Sequence, residues 1–421
     1  MWGRRRFTAA LGASLTAPVL AQFRVEISGI GETQLPIAIG AFRGEAAALA
    51  SPSAIIAADL QRSGVFRLVE PIPGLDELSQ LPQDAARSRQ ADALLAGSVS
   101  KLADGSWDLR YRLWDVVKGQ PYFGRAASVP AAGLRLAAHR IADEIYERLT
   151  GERGVFATRI AYVSRVGRNH ALHITDADGE GGQVALRSSE SIISPAWSPD
   201  GKDIAYVSFE TQKAAIWVQE VATGKRSMLA NFRGTNSAPA WSPDGRELAV
   251  SLSRDGPSQI YLMTRTGGDP RRLTTSNAID TEPVFAPDGK SLFFVSDRGG
   301  GPQIYRMPVA GGAPERLTFT GGYNVSPAIS PDGKTLAYVS RQGGIFRVTL
   351  LNLANGNARA LSESPFDDSP SFAPNGRLIV YASRDQGRDV LMTTTLDGRI
   401  KTRLLASGTD MLEPAWGPFG R

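Results

Sequence analysis

One phrase recurs six times along this chain: Pro195-Ala-Trp-Ser-Pro-Asp-Gly201, Pro239-Ala-Trp-Ser-Pro-Asp-Gly245, Pro283-Val-Phe-Ala-Pro-Asp-Gly289, Pro327-Ala-Ile-Ser-Pro-Asp-Gly333, Pro370-Ser-Phe-Ala-Pro-Asn-Gly376 and Pro414-Ala-Trp-Gly-Pro-Phe-Gly420. Its starts lie 44, 44, 44, 43 and 44 residues apart. A period of this size with strand-like content means a propeller or a solenoid. Twelve of the 26 prolines sit in these phrases, so the Pro content marks turns and not disorder.

A second phrase follows each of the first five: Ile204-Ala-Tyr-Val-Ser208, Leu248-Ala-Val-Ser251, Leu292-Phe-Phe-Val-Ser296, Leu336-Ala-Tyr-Val-Ser340 and Ile379-Val-Tyr-Ala-Ser383. A sixth copy, Ile160-Ala-Tyr-Val-Ser164, has no Pro-Asp-Gly phrase before it, and the Pro414 phrase has no strand after it. The two orphans complement each other. Within residues 195–231 four strands are predicted: Ala196-Trp197, Ile204–Ser208, Ile216–Val221 and Arg226–Leu229, with turns at Pro199-Asp200-Gly201 and Ala222-Thr-Gly224. Four antiparallel strands per period make one propeller blade. Six periods need 264 residues, which reach back from Arg421 to Thr158. The strand around Ala415-Trp416 then becomes the innermost strand of the blade opened by Ile160. That closure removes the free edges of an open array.

The region before the repeat reads as an α/β domain. Strands are expected at 23–28, Leu35–Phe42, Phe66–Val69, Ala93–Ser100, Trp107–Val117 and Tyr122–Val129. Ser51-Pro52 opens a helix with an Ile55, Ile56, Leu60 face, and 83–90 is a second, short helix. Leu134, Ala138, Ile141, Ile145 and Leu149 form the core stripe of a long helix that Gly151 stops. The layout expected is a mixed sheet with two main helices on one face, at 22–150. A linker at 151–158 and a six-bladed propeller at 159–421 follow. His139 is expected on the solvated flank of the long helix.

Residues 1–21 read as a signal peptide. Arg4, Arg5 and Arg6 precede 15 uncharged residues ending Val19-Leu20-Ala21. Arg4-Arg5-Arg6-Phe7 also touches a twin-arginine pattern, so either export route is open. Without those arginines the formal charge falls from +5 to +2, which removes the argument for nucleic acid or anionic membrane partners. No later apolar run reaches 18 residues, so no membrane insertion is expected.

Little in the chain suggests chemistry. Cysteine is absent and only three histidines exist. There is no G-x-S-x-G, no phosphate-binding loop and no H-E-x-x-H. Asp200, Asp244, Asp288 and Asp332 recur at one position, but the next copies are Asn375 and Phe419, which fits a turn. Asp176-x-Asp178-Gly179 likewise reads as a hairpin turn, not a calcium loop. His170 and His173 point to opposite faces of a strand. Trp197, Trp241, Phe285, Ile329, Phe372 and Trp416 share one position and read as interblade core. No cofactor, no metal site and no catalytic residue is expected. An alternative, a propeller hydrolase or lyase acting in the central channel, would need convergent histidines or acids that the spacing does not supply.

Loops alternate between the two faces of a propeller. The Pro-Asp-Gly and Thr-Gly turns share one face. The loops entering each Pro-Ala-Trp strand share the other and vary: Thr235-Asn236-Ser237-Ala238, Asp280-Thr281-Glu282, Tyr323-Asn324-Val325-Ser326, Phe366-Asp367-Asp368-Ser369 and Asp410-Met411-Leu412-Glu413. Arg254, Arg298, Arg341 and Arg384 lie on the companion loops. Variable loops on a rigid scaffold are where recognition resides, so a protein or peptide partner at this channel mouth is expected.

The order of parts, with Phe23-Arg-Val-Glu-Ile27, Ile55-Ile-Ala-Ala-Asp-Leu60 and Leu149-Thr-Gly151 ahead of Thr158-Arg-Ile-Ala-Tyr162, resembles the TolB family of the Tol-Pal cell-envelope system across the whole mature chain. The resemblance implies a non-catalytic periplasmic interaction protein, expected as a monomer, that supports outer-membrane integrity and constriction during division. It implies that the lipoprotein Pal binds the channel mouth, at Thr235, Asn236, Ser237, Ala238, Thr281, Glu282, Asn324, Ser326, Asp368, Ser369 and Glu413. It also implies that TolA binds the segment from Gln22 to about Thr33, with Gln22, Phe23, Arg24, Val25, Glu26 and Ile27 as contacts. On the family pattern that segment docks back on the protein or is released.

Overall fold

The computed structural model describes residues 25–27, 34–404 and 409–420. The signal peptide and Gln22, Phe23 and Arg24 lie outside them. The N-terminal domain is built from β2 (Leu35–Ile39), α1 (Pro52–Arg62), β3 (Phe66–Val69), α2 (Gln83–Ser88), β4 (Ala93–Lys101), β5 (Trp107–Asp115), β6 (Gln120–Val129) and α3 (Leu134–Thr150), preceded by a short strand β1 (Val25–Ile27). The sheet order is β3-β2-β4-β5-β6. β2 runs parallel to β3 and β4, and the last two pairings are antiparallel.

Ser51 caps α1 as its position foretells, its Oγ accepting from the Ala54 N–H at 3.3 Å, with Pro52 in the first turn. The α3 stripe buries Leu134, Ala138, Ile141 and Ile145 against Ile37, Ile56, Leu60, Leu109 and Leu113. Both long helices thus share one face of the sheet. The other face buries Leu94, Ala96 and Trp114 beneath Ala86 of α2.

Six antiparallel sheets follow. Blades two to six span 192–230, 236–272, 280–316, 323–360 and 368–403. Blade one draws on both ends of the propeller: Asp410–Trp416 pairs with Arg159–Val166, placing Trp416 opposite Ile160 and Met411 opposite Ser164. The ring is sealed as the orphan phrases require. Neighbouring blades are also bonded across their seams. The indole N–H of Trp197 donates to the Ala415 carbonyl, and that of Trp241 to the Ala196 carbonyl, both at 3.1 Å. Trp416 donates to Thr158 Oγ1 at 2.8 Å. Most of the aromatic stripe is buried, as interblade core should be.

The Pro-Asp-Gly turns interlock. In blade two, Asp200 Oδ1 accepts from Ser198 Oγ at 2.7 Å and from the Lys202 N–H at 3.1 Å. Asp244 and Asp332 repeat the arrangement, so these aspartates serve turns. Their glycines sit at φ near +70°. A Cβ on Gly245 would meet Pro199 of the preceding blade at 3.7 Å, and Gly289 faces Pro243 in the same way. Between blades six and one the linker enters this ring. Asn375 Nδ2 donates to the Arg153 carbonyl, Arg153 to the Gly420 carbonyl, and Arg377 Nε to Glu152 at 2.7 Å.

Two expectations need correction. The strand read at 23–28 does not belong to the N-terminal domain. β1 pairs with Ile400–Arg403, the outer strand of blade six, with Val25 opposite Thr402 and Ile27 opposite Ile400. Alternation reveals a strand but not its partner, and the outer strand of a blade offers an open edge. His139 is not solvated: it is fully buried. The flank of α3 that carries it is covered by the blade-one turn 176–180, a contact no helical pattern encodes. That segment is a turn as expected, with the Gly179 N–H donating to the Asp176 carbonyl at 2.9 Å.

Candidate docking site at the channel mouth

Each inner strand carries a residue at positive φ immediately before its proline: Ser194, Ala238, Glu282, Ser326, Ser369 and Glu413, all between +49° and +54°. None is glycine, and an L-residue with its backbone in the left-handed region is strained. Each sits in a β-bulge. In blade four Thr281 pairs with Val295 and Val284 with Phe293, leaving Glu282 and Pro283 opposite one residue. The same shift recurs in blades two, three, five, six and one. The bulge spares the proline a ladder N–H it cannot give. It also lets the strand continue, so segments read as entry loops from the sequence are the first halves of inner strands: Asn236–Trp241, Asp280–Phe285, Tyr323–Ile329 and Asp410–Trp416.

These turned-out residues link neighbouring blades. Glu282 Oε2 accepts from the Ser326 N–H at 2.6 Å, and Ser326 Oγ donates to Asp368 Oδ1 at 3.1 Å. Asp368 Oδ1 also accepts from the Ser369 N–H at 2.6 Å. Glu413 Oε2 accepts from the Ser194 N–H at 3.2 Å. Glu282, Asp368 and Glu413 thereby bring three carboxylates into mutual influence. Burial pushes the Glu413 carboxyl up to about 7, reinforced by the charges on Asp368 and Glu282. Burial and Asp368 also raise the Glu282 carboxyl, against the lowering pull of the Ser326 N–H.

Around this throat stand arginines on aromatic rings. The guanidinium of Arg254 lies 4.7 Å from the Phe232 ring, Arg298 5.2 Å from Tyr305, Arg341 5.4 Å from Phe346 and Arg384 5.3 Å from Phe366. Ile279, Phe319, Tyr323 and Phe366 leave apolar surface exposed on the same set of loops. The mouth therefore presents an acidic centre within a basic and apolar rim.

Not every expected contact residue reaches this surface. Thr235 is exposed, and Ser237, Ala238, Thr281, Ser326 and Ser369 are partly so. Asn236 and Asn324 are fully buried. Asn236 Nδ2 donates to the carbonyls of Ala214, Phe232 and Gly234, and Asn324 Nδ2 bonds Gln303 Oε1 and the Thr320 carbonyl. Both shape the loop from below and offer a partner nothing. At the equivalent position of blade four, buried Asp280 holds Arg298 through both oxygens. Ser194 was missed at the sequence level, although counting back 44 residues from Ala238 finds it. Of the N-terminal contact residues only Val25, Glu26 and Ile27 fall among the described residues, as the strand on blade six. His173 Nε2 pairs with Ser164 Oγ at 2.8 Å while its ring stacks on Tyr162 at 4.8 Å. His170 Nδ1 faces the Arg168 carbonyl at 3.1 Å.

An α/β domain joined to a closed six-bladed propeller, whose strained inner residues ring a carboxylate throat, defines a two-domain β-propeller protein. Comparison with known proteins gives its kinship. The profile described as "TolB amino-terminal domain" matches residues 23–122, and that described as "TolB beta propeller domain" matches 146–420. The "Tol-Pal system protein TolB" of Polaromonas sp. strain JS666 is 62% identical over 418 residues, covering 99% of this chain and 98% of that one. The protein of the same name from Dechloromonas aromatica is 57% identical over 416 residues, 99% of this chain and 98% of its own. The crystal structure of TolB from Acinetobacter baumannii superposes with a TM-score of 0.86 at 37% identity, covering 94% of this chain and all of that one. This chain belongs to the TolB family.

Proposed function

We propose that this protein works in the periplasm as a non-catalytic connector of the Tol-Pal system, binding Pal at the channel mouth and TolA through its N-terminal segment. The observation that carries this reading is the mouth itself: bonded from blade to blade, irregular in sequence, and chemically divided into an acidic throat and an Arg–aromatic rim. Such division favours a folded protein that inserts a projecting group over a polyanion or a small substrate. The names of the relatives support the system to which it is assigned. The lack of a spanning helix among the described residues accords with a protein tied to the envelope through its partners.

The pairing of β1 with the edge of blade six supports the second half of the reading. A three-residue ladder is weak, so the segment can leave that edge and add itself as a strand to a partner sheet. In this role the protein supports outer-membrane integrity and constriction of the envelope during division. The test is a pull-down from envelope extract with the chain lacking residues 1–21. It should recover Pal and, separately, TolA. Deleting 22–33 should abolish TolA capture and spare Pal. Replacing Ser326 and Asp368 should do the reverse. Recovery of neither partner, or unchanged TolA capture after the deletion, sinks the assignment.

A further inference from the structure

The joint between the two domains gathers charged side chains that partner docking does not use. α1 supplies Asp59 and Arg62, α3 supplies Arg135 and His139, and the blade-one turn supplies Asp176, Asp178 and Glu180. His139 is completely buried. Its Nδ1 lies 2.6 Å from Asp59 Oδ2, while Asp59 Oδ1 takes Arg62 at 2.8 Å. A carboxylate accepts only, so this bond places a proton on Nδ1; Nε2 then offers a lone pair in the neutral ring and an N–H in the imidazolium.

That second nitrogen has no hydrogen-bond partner. It nevertheless faces two carboxylates, with Asp178 Oδ2 at 3.5 Å and Asp176 Oδ2 at 3.9 Å. In the neutral ring a lone pair directed at anionic oxygens in a dry interior repels them unless a cation lies between, whereas an imidazolium supplies the positive charge itself. The spacing admits a bound cation as well as a protonated ring. Hydrogen bonds to nitrogen run at about 2.7–3.2 Å, shorter than either separation. Nitrogen and oxygen ligands each about 2.0–2.2 Å from a tetrahedral ion stand roughly 3.3–3.6 Å apart, a range that the Asp178 separation meets and the Asp176 separation exceeds, so Asp176 must move inward to bind. All three ligand atoms lie within 4.8 Å of one another.

We infer that His139, Asp176 and Asp178 form a site for a divalent transition-metal cation of the zinc class, with Asp59 orienting the imidazole from behind. One imidazole with two carboxylates suits zinc-like ions, whereas calcium and magnesium favour all-oxygen shells. A buried histidine whose far nitrogen is fixed by a carboxylate is the recurring support of such sites. The surrounding charge agrees. Five carboxylates (Asp59, Asp143, Asp176, Asp178 and Glu180) face three guanidiniums (Arg62, Arg135 and Arg159), an excess of two negative charges that a dication on the neutral imidazole cancels and an imidazolium halves. Arg135 competes for Asp178 Oδ2 at 2.5 Å but also holds Glu180 at 2.8 Å, and it keeps that partner when the cation takes the aspartates. Asp176, one-fifth exposed, gives the ion its way in and leaves a position for water. Because the ligands come from α3 and from blade one, the bound ion crosslinks the two domains and stabilises their relative placement.

The test uses the chain lacking residues 1–21, without a polyhistidine tag, stripped with a chelator and dialysed. Zn²⁺ titrated in competition with a chromophoric chelator should bind at one equivalent and raise the thermal midpoint. Co²⁺ in its place should give the visible absorption of a four-coordinate nitrogen–oxygen site. His139→Gln and Asp178→Asn should abolish uptake, and Asp59→Asn should weaken it roughly 10–100-fold. His170→Gln, which alters an outlying histidine, should leave it intact. Near-ultraviolet circular dichroism verifies that each variant is folded. The inference is overturned if stripped wild-type protein takes up no Zn²⁺, or if His139→Gln binds as well as wild type.

Discussion

At the scale of single residues, the left-handed ring is where this fold stores strain. Ser194, Ala238, Glu282, Ser326, Ser369 and Glu413 hold φ near +50° with a side chain attached. A β-branched residue tolerates that conformation worst, so Ala238→Val should lower the free energy of unfolding by about 1–3 kcal/mol, read from denaturant titration. Glu413 adds a proton linkage. Its carboxyl is raised from the ordinary 4.5 to about 7 in the folded protein. The native state therefore binds this proton more tightly than the unfolded chain, and the stability it contributes is lost as the pH rises from 4.5 through 7. Glu413→Gln should raise the thermal midpoint at pH 8 by roughly one to a few degrees, and the gain should vanish below pH 4.5. A partner that seats a cationic group in the throat should bind more weakly as the pH falls through 7. The strain was not legible in the sequence: a serine, alanine or glutamate before proline reads as extended chain, and only the sixfold bulge forces φ positive. The position itself was legible, because the repeat fixes it.

At the scale of elements, the repeat carried most of the fold. Strand types, turn residues and the α3 stripe all follow from local chemistry, and local chemistry is what a sequence displays. Where two elements from distant segments meet, the sequence is silent, and there His139 and β1 were misplaced. The linker shows the same dependence. Asp143 of α3 accepts from the Phe156 N–H at 2.7 Å and the Ala157 N–H at 3.1 Å, and a Cβ on Gly154 would fall 2.3 Å from Asp143 Oδ1. Gly154→Ala must break this clamp or shift α3, at a cost of about 1–3 kcal/mol in unfolding free energy. The interblade indole bonds are a further case. Trp241→Phe keeps an aromatic ring but loses the pyrrole half of the indole with its hydrogen bond to the Ala196 carbonyl, and should cost about 1–3 kcal/mol, measured the same way.

At the scale of the whole molecule, the number of blades and the closing strand were legible, because the two orphan phrases must find each other. Which rim residues face outward was not: Asn236 and Asn324 look like polar loop contacts until the fold buries them. Removing 410–420 should leave Arg159–Val166 paired only with Asn169–Asp176 and strip blade one of its inner strand. Such a chain should lose cooperative unfolding and aggregate, as light scattering would report, while a chain lacking only 22–33 should keep its thermal midpoint within about two degrees. Sealing the ring with 410–416 also sets an order of events. The first propeller strand has to wait for that distant segment before its inner edge is covered. A product stopped before residue 410 carries an unpaired seam, the kind of exposed edge that invites proteolysis and association.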